Sequence, residues 1–422
     1  MSKKKLLAIV ILLFILGAGF LAYQFYFKQN TDQNTTTNLP NNPFGNFFPT
    51  ENTNSSPRNS NNEDFEPSEQ AISKLRVIAD VPVAGASIFE RSSSSTNPNA
   101  TSTETVYRYE ERATGHVYEM LTTETNARRI SNTTIPKIYR AQFLNNKNQI
   151  AFQFLDRVEN IDTYIAETKE NKTETASEEK NVLDGVFMKK NIQHLLISPD
   201  GRNIFNVVRN SDEKSTNKIL GSLSLASNPN TEKLIFSSYI SEWTPKWISA
   251  DIISFNTKAS YDAPGYLYLF NIKTRAFNKV LGPINGLISN VSPDTKKVLY
   301  SLNNKNQTEL RLFDVTKNTS YIIPNATLAE KCVWGKDSVS VYCAIPNNIY
   351  RTTYPDTWYM GESSFNDSLV AINTVDQTTK LIHNSADFST LFDMIDLKLS
   401  PREDYIIFTN KKDLKLWSIE IK

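Results

Sequence analysis

Ile197-Ser198-Pro199-Asp200-Gly201-Arg202-Asn203-Ile204-Phe205 is the stretch on which the fold turns. It sets a Ser-Pro-Asp corner in front of a β-branched and aromatic run. The same unit returns at Val291-Ser292-Pro293-Asp294-Thr295-Lys296-Lys297-Val298-Leu299-Tyr300 and at Leu399-Ser400-Pro401-Arg402-Glu403-Asp404-Tyr405-Ile406-Ile407-Phe408. Proline presets the turn and aspartate accepts hydrogen bonds from nearby backbone amides, so these corners are structural and not catalytic. A polar turn and a second β-rich run follow each of them. Self-similarity at roughly 40 to 50 residues marks a propeller blade or another repeat array.

Outward from these units, further corners fall at Asn145-Asn146-Lys147, Ser249-Ala250-Asp251 and Gly335-Lys336-Asp337. Second strands follow at 150–154, 204–208, 252–255, 298–302, 339–343 and 405–408, and third strands read at 266–271, 310–314 and 414–418. Apolar and polar residues alternate loosely in these runs, as in strands between packed sheets. An earlier unit without a clear corner reads at 106–110, 115–120 and 127–131, which gives seven blades. The last unit ends at Lys422 without an outer strand, and the β-rich segment 71–78 has no place in the first unit. Pairing that segment with the last blade closes the ring without an open gap. If the segment were an inner strand instead, six blades would be the better count. The fold class is therefore all-β, a seven-bladed β-propeller with six blades as the alternative.

The pattern resembles the TolB-type β-propeller, a relative of the WD-repeat propellers whose blades carry a Trp-Ser-Pro-Asp-Gly corner. Ser198 to Gly201 match in full, Ser292 to Asp294 lack the glycine, and Ser400-Pro401 carry Arg402 where Asp is usual. The resemblance spans most of the chain after Gln70 and implies a fold, not an activity.

The N-terminus adds a different element. Lys3-Lys4-Lys5 precede an apolar run over residues 6–27 in which Gln24 is the only strongly polar side chain. As a helix it reaches about 33 Å, enough for a hydrocarbon core of about 30 Å. Gly17-Ala18-Gly19 mimic a signal-peptide cleavage site, but apolar residues continue past them, and an uncleaved anchor is the expectation. The lysines place the tip, residues 1–5, in the cytoplasm and the remainder outside it. Residues 28–70, dominated by Asn, Thr, Ser and Pro, bury too little apolar surface to offset ordering entropy and read as a disordered tether. The propeller then occupies 71–422, exposed to the cell envelope.

Charge is nearly balanced, with 46 basic against 45 acidic residues in 422. Without a concentrated basic patch, nucleic acid is not expected as a partner. The two cysteines, Cys332 and Cys343, flank Gly335-Lys336-Asp337-Ser338 and fall on adjacent strands of a hairpin whose turn must be wide or bulged. Outside the cytoplasm a disulfide is expected, with two reduced buried thiols as the alternative. His116, His194 and His383 are scattered and none sits at metal-ligand spacing, so neither a metal nor a cofactor is read. Ser215-Thr216-Asn217-Lys218 lacks the companion motifs of a penicillin-binding protein. No catalytic residue is assigned.

Three insertions interrupt the repeat. Residues 167–181 are charged and read as a solvated loop; residues 92–105 are rich in Ser and Thr and read as mobile. The third, 344–367, carries Tyr350, Arg351, Tyr354, Asp356, Trp358, Tyr359 and Phe365. Long loops on rigid scaffolds carry function, and Tyr and Trp suit a sugar or peptide surface. These seven are the candidate ligand-binding residues, the alternative being that the rings cap the propeller; Trp243, Trp247 and Tyr261-Asp262 are candidates for the same face. The expected function is a membrane-anchored binding or scaffolding module for protein or cell-envelope glycan, with an envelope hydrolase using channel carboxylates as the alternative.

Overall fold

Strand composition translates directly into sheets. A computed structural model describes residues 74–93, 102–144, 148–170, 181–210, 218–305, 307–387 and 389–422. The expected span at 6–27, the tether at 28–70 and the corner at Asn145 lie outside these residues. No helix among the described residues is long and apolar enough to cross a membrane.

The described residues form seven four-stranded antiparallel sheets. The chain opens with β1 (Leu75–Ala79). Blade 1 is β2 (Val83–Ser93), β3 (Ser102–Glu111), β4 (Val117–Leu121) and β5 (Arg128–Arg129). Blade 2 is β6 (Ile138–Phe143), β7 (Gln149–Leu155), β8 (Ile161–Glu170) and β9 (Asn181–Phe187). Blade 3 is β10 (Ile192–Ile197), β11 (Asn203–Arg209), β12 (Ile219–Leu225) and β13 (Asn228–Ser238). Blade 4 is β14 (Trp243–Trp247), β15 (Ile252–Thr257), β16 (Pro264–Asn271) and β17 (Phe277–Asn285). Blade 5 is β18 (Ile288–Val291), β19 (Lys297–Asn304), β20 (Gln307–Asp314) and β21 (Thr319–Ile323). Blade 6 is β22 (Cys332–Trp334), β23 (Ser340–Pro346), β24 (Asp367–Asn373) and β25 (Thr379–His383). Blade 7 takes β26 (Met394–Leu399), β27 (Tyr405–Asn410) and β28 (Leu416–Glu420) from the C-terminus and its outer strand from β1.

The ring is closed as the orphan segment predicted. β1 runs antiparallel to β28, with Leu75 opposite Ile419 and Val77 opposite Trp417. Because β1 is the outer strand, the count is seven and not six. Packing supports the same closure, since each neighbouring pair of blades shares an apolar cluster. Blades 7 and 1 meet through Ile78, Ile407, Leu416, Tyr107 and Met120, and blades 6 and 7 through Leu369, Phe392, Met394 and Phe408.

The Ser-Pro-Asp corners join first to second strands and satisfy their own amides. Ser198 Oγ donates to Asp200 Oδ1 at 2.5 Å and accepts from the Asn203 amide at 2.9 Å. Ser292 repeats both bonds, at 2.6 Å to Asp294 and 3.0 Å from Lys297. Gly201 takes the left-handed conformation, φ 69°, and Thr295 is held at φ 62° in the equivalent place.

Two insertions prove to be partly strand. β2 and β3 stay in register out to Ser93 opposite Ser102, and β8 and β9 out to Glu170 opposite Asn181. A backbone ladder needs no apolar side chains once its hairpin is started, so polar residues extend it beyond the core. The cysteine hairpin is as read: Cys332 lies opposite Cys343, the turn 335–340 is wide, and the two sulfurs are bonded.

Candidate functional site

In an antiparallel blade the first and third turns lie at one end, and the second turn and the inter-blade crossing at the other. The Ser-Pro-Asp corners therefore mark one face of the propeller. Residues 347–366, between β23 and β24, belong to the opposite face. So do the starts of the innermost strands β2, β6, β10, β14, β18, β22 and β26.

The aromatic segment divides into an inner and an outer set. Tyr354, Trp358 and Phe365 are 4%, 4% and 2% exposed and join the apolar cluster of blades 5 and 6. Phe365 stacks on Trp358 with ring centres 6.0 Å apart and meets Tyr354 at a tilt, 5.2 Å away. Outside remain Tyr350, Tyr359 and Met360, at 73%, 40% and 64%, together with exposed Arg351. A single helical turn, α1 (Asp356–Tyr359), reverses the chain. Asp356 fixes it to blade 4, accepting from Ser260 Oγ at 3.1 Å and the Tyr261 amide at 2.8 Å. Tyr261 thus does border this segment, whereas Trp243 is a core ring between blades 3 and 4.

Under the loop lies a buried ionic cluster. Lys331, Asp367 and Asp393 have no exposed surface. The Lys331 ammonium donates to Asp393 Oδ1 at 2.5 Å and to the Met394 carbonyl at 3.0 Å, and pairs with Asp367 Oδ2 at 2.9 Å. It also sits 5.1 Å from the ring centres of Trp358 and Phe365, a cation–π arrangement. Asp393 accepts in addition from Trp358 Nε1, from Ser364 Oγ at 3.1 Å and from the Phe365 amide at 3.1 Å. Burial opposes its ionisation, but Lys331 and these donors hold the Asp393 carboxyl below the usual range. Burial pushes Asp367 the other way, up to about 6, with Lys331 only partly compensating. Lys411 completes the clamp, donating to the Trp358 carbonyl at 2.6 Å with its ammonium 4.6 Å from the indole centre.

The outer set abuts a ring of charge contributed by the innermost strands and the turns beside them. Tyr359 Oη donates to Glu330 Oε1 at 2.7 Å. Burial raises the Glu330 carboxyl; the Tyr359 bond, Lys246 and Lys331 oppose that shift, and Asp396 adds to it. Burial, then the Glu330 charge, raises the Tyr359 phenol above its ordinary value. Past Asp396 the ring continues to Lys398, Arg140 and His194. Desolvation and Arg140 lower Lys398 against the pull of Asp396. Burial, reinforced by Arg140, brings His194 down to about 4. Asp396 lies in a β-bulge of β26 at φ 53°, a strained conformation that re-aims the residues around it. Two cavities open here. One of about 350 Å³ is bounded by β2, β6 and β26 and by Arg112; the other, of about 500 Å³, lies among Tyr139, His194, Glu242 and Trp243.

Sequence reading found the aromatic segment but none of the charged residues beneath or beside it. Most of them belong to blades 6 and 7, with Arg140 on blade 2 and His194 on blade 3, and no single local spacing joins them all. For Arg140, His194 and Asp396 the usable signal is a shared third position in an inner strand, which becomes visible only once the strands are aligned. Among the described residues, no group of three or more His, Cys, Asp or Glu side chains comes together that could hold a metal ion.

No protein-family model and no curated protein matches the chain. Solved structures do. Oligogalacturonate lyase of Vibrio parahaemolyticus superposes with a TM-score of 0.50 at 10% identity, over 82% of this chain and 98% of that one. The β-propeller domain of the trilobed protease of Pyrococcus furiosus gives 0.47 at 13%, over 76% and 92%. TolB of Acinetobacter baumannii gives 0.40 at 9%, over 70% and 78%. The likeness is one of fold alone.

Proposed function

We propose that this protein is a membrane-anchored, extracytoplasmic propeller that binds a protein or cell-envelope glycan, without covalent chemistry, on the face bearing residues 347–366. One observation carries the reading: the segment is locked from beneath by Trp358, Phe365 and the Lys331 cluster, yet leaves Tyr350, Arg351, Tyr359 and Met360 outside. A preorganised aromatic and cationic surface loses little entropy on binding. The basic tip and apolar run of residues 1–27 support the anchor and its orientation.

A hydrolase is the second reading, favoured by the meeting of Glu330 and Asp396 near Arg140. A carboxyl raised by burial beside an open one is the pairing that general acid–base chemistry uses. One experiment separates the two. The full chain in detergent is incubated with purified cell-wall glycan and, separately, with extended peptides, and both retention and released ends are measured. Retention without products supports the binding module, and products support the hydrolase. Neither retention nor products contradicts both.

A further inference from the structure

The cavity of about 350 Å³ has an unbalanced wall. Arg112, Arg140 and Lys398 line it, against one carboxylate, Asp396. Neither guanidinium has an ion-pair or hydrogen-bond partner among the described residues. The Lys398 ammonium is pinned by the Ala86 carbonyl at 2.6 Å, which fixes a positive charge at the wall instead of letting it swing into solvent. Arg140 adds to desolvation in disfavouring the charged form of Lys398 on the same wall, and of His194 beyond it. The backbone is built to bring these groups together. A Cβ on Gly85 would lie 2.0 Å from the Ala141 carbonyl oxygen, so only glycine lets β2 approach the strand that carries Arg140. Across the cavity, the bulge at Asp396 sets the position of Lys398.

We propose that this cavity binds an oxyanion, a carboxylate or phosphate group, carried by the ligand of the propeller. An oxyanion would relieve the repulsion between Arg140 and Lys398 and accept paired hydrogen bonds from a planar guanidinium, the strongest polar contact available to it. The inference deepens the binding reading by giving the ligand a chemical class: it is acidic, with its anionic group at the channel wall and its remaining surface toward Tyr359.

Calorimetric titration of the full chain in detergent, with inorganic phosphate and separately with glucuronate, tests this, with glucose as the uncharged control. Saturable binding of at least one anion and none of glucose is expected. Phosphate alone would point to phosphate-bearing ligands, and glucuronate alone to acidic sugars. Replacing Arg140→Gln and Lys398→Gln together should weaken binding roughly tenfold or more, the value of one strong charged contact. Asp396→Asn should tighten it by removing the carboxylate that lines the cavity. If the double variant unfolds, Arg140→Glu alone serves, since that side chain is exposed and unpartnered, and it must abolish binding. No saturable uptake of either anion, or affinity unchanged by these substitutions, overturns the proposal. Because the probes are small ions, failure here with glycan or protein retention intact removes only the anion site. Anion binding without such retention removes only the broader reading.

Discussion

The indole Nε1 of Trp358 donates to both carboxylate oxygens of Asp393, at 2.9 Å to Oδ2 and 3.2 Å to Oδ1. The largest ring of the loop is thereby turned into the propeller, tying the second connection of blade 6 to the inner strand of blade 7. It holds the segment against the propeller, while Tyr350, Tyr359 and Met360 of the same segment stay exposed.

Trp358→Ala should lower stability by about 3 to 5 kcal/mol, as for other large rings removed from a packed core. Trp358→Phe keeps most of the packing and removes the donor, and about 1 to 3 kcal/mol is expected. Urea unfolding of both variants measures the difference. A Trp358→Phe variant as stable as the parent would mean that the bond to Asp393 adds nothing.

Lys331→Met removes the one cation that faces two buried carboxylates. Breaking a buried pair from one side costs about 3 to 5 kcal/mol, because the abandoned charge stays desolvated. Changing Asp367→Leu at the same time should recover part of that loss. A double variant less stable than the sum of the single ones would contradict the cluster as described.

Glu110 on β3 is fully buried, and among the described residues neither of its carboxyl oxygens has a hydrogen-bond partner. Burial raises its pKa from 4.5 to about 9. The folded state therefore holds the proton more tightly than the unfolded chain. This contribution to stability is complete below about pH 4.5 and is lost as pH rises toward 9, by at most about 1.4 kcal/mol per pH unit. Glu110→Gln cannot titrate. It should equal the parent near pH 5 and exceed it at pH 8 in thermal melts, and parallel pH profiles would contradict the assignment.

The disulfide joins Cys332 to Cys343 across a separation of 11 residues. Closing so short a loop is worth about 2 to 3 kcal/mol. Reductant should lower the melting temperature, and Cys332→Ala with Cys343→Ala should abolish that sensitivity. A melting temperature indifferent to reductant would show that the bond adds nothing.

How much of this was readable in the sequence depended on whether the interaction was local. Ser198, Pro199 and Asp200 complete their hydrogen bonds within five residues, so the corners and the blade repeat stood in plain view. The pairing of β1 with β28 was inferable because a blade lacked a strand and a strand lacked a blade. Trp358 and Asp393 are 35 residues apart, and Lys331 and Asp393 62 apart. Nothing in a single chain shows that such residues converge. Composition also could not tell which aromatic rings point inward: Tyr354 and Tyr350 read alike, yet the first is core and the second is exposed. The polar extensions of β2, β3, β8 and β9 were hidden for another reason, since a backbone ladder leaves little trace in side-chain pattern.

The loop divides into an exposed pair, Tyr350 and Arg351, and a buried ring, Trp358, that holds the frame, and the proposed binding role rests on that division. Its most direct test is retention on purified cell-wall glycan and envelope peptides by the full chain, compared with Tyr350→Ala combined with Arg351→Ala. This double variant is expected to lose retention while unfolding at the parent's denaturant concentration. Undiminished retention, or a large loss of stability in the double variant, would contradict it.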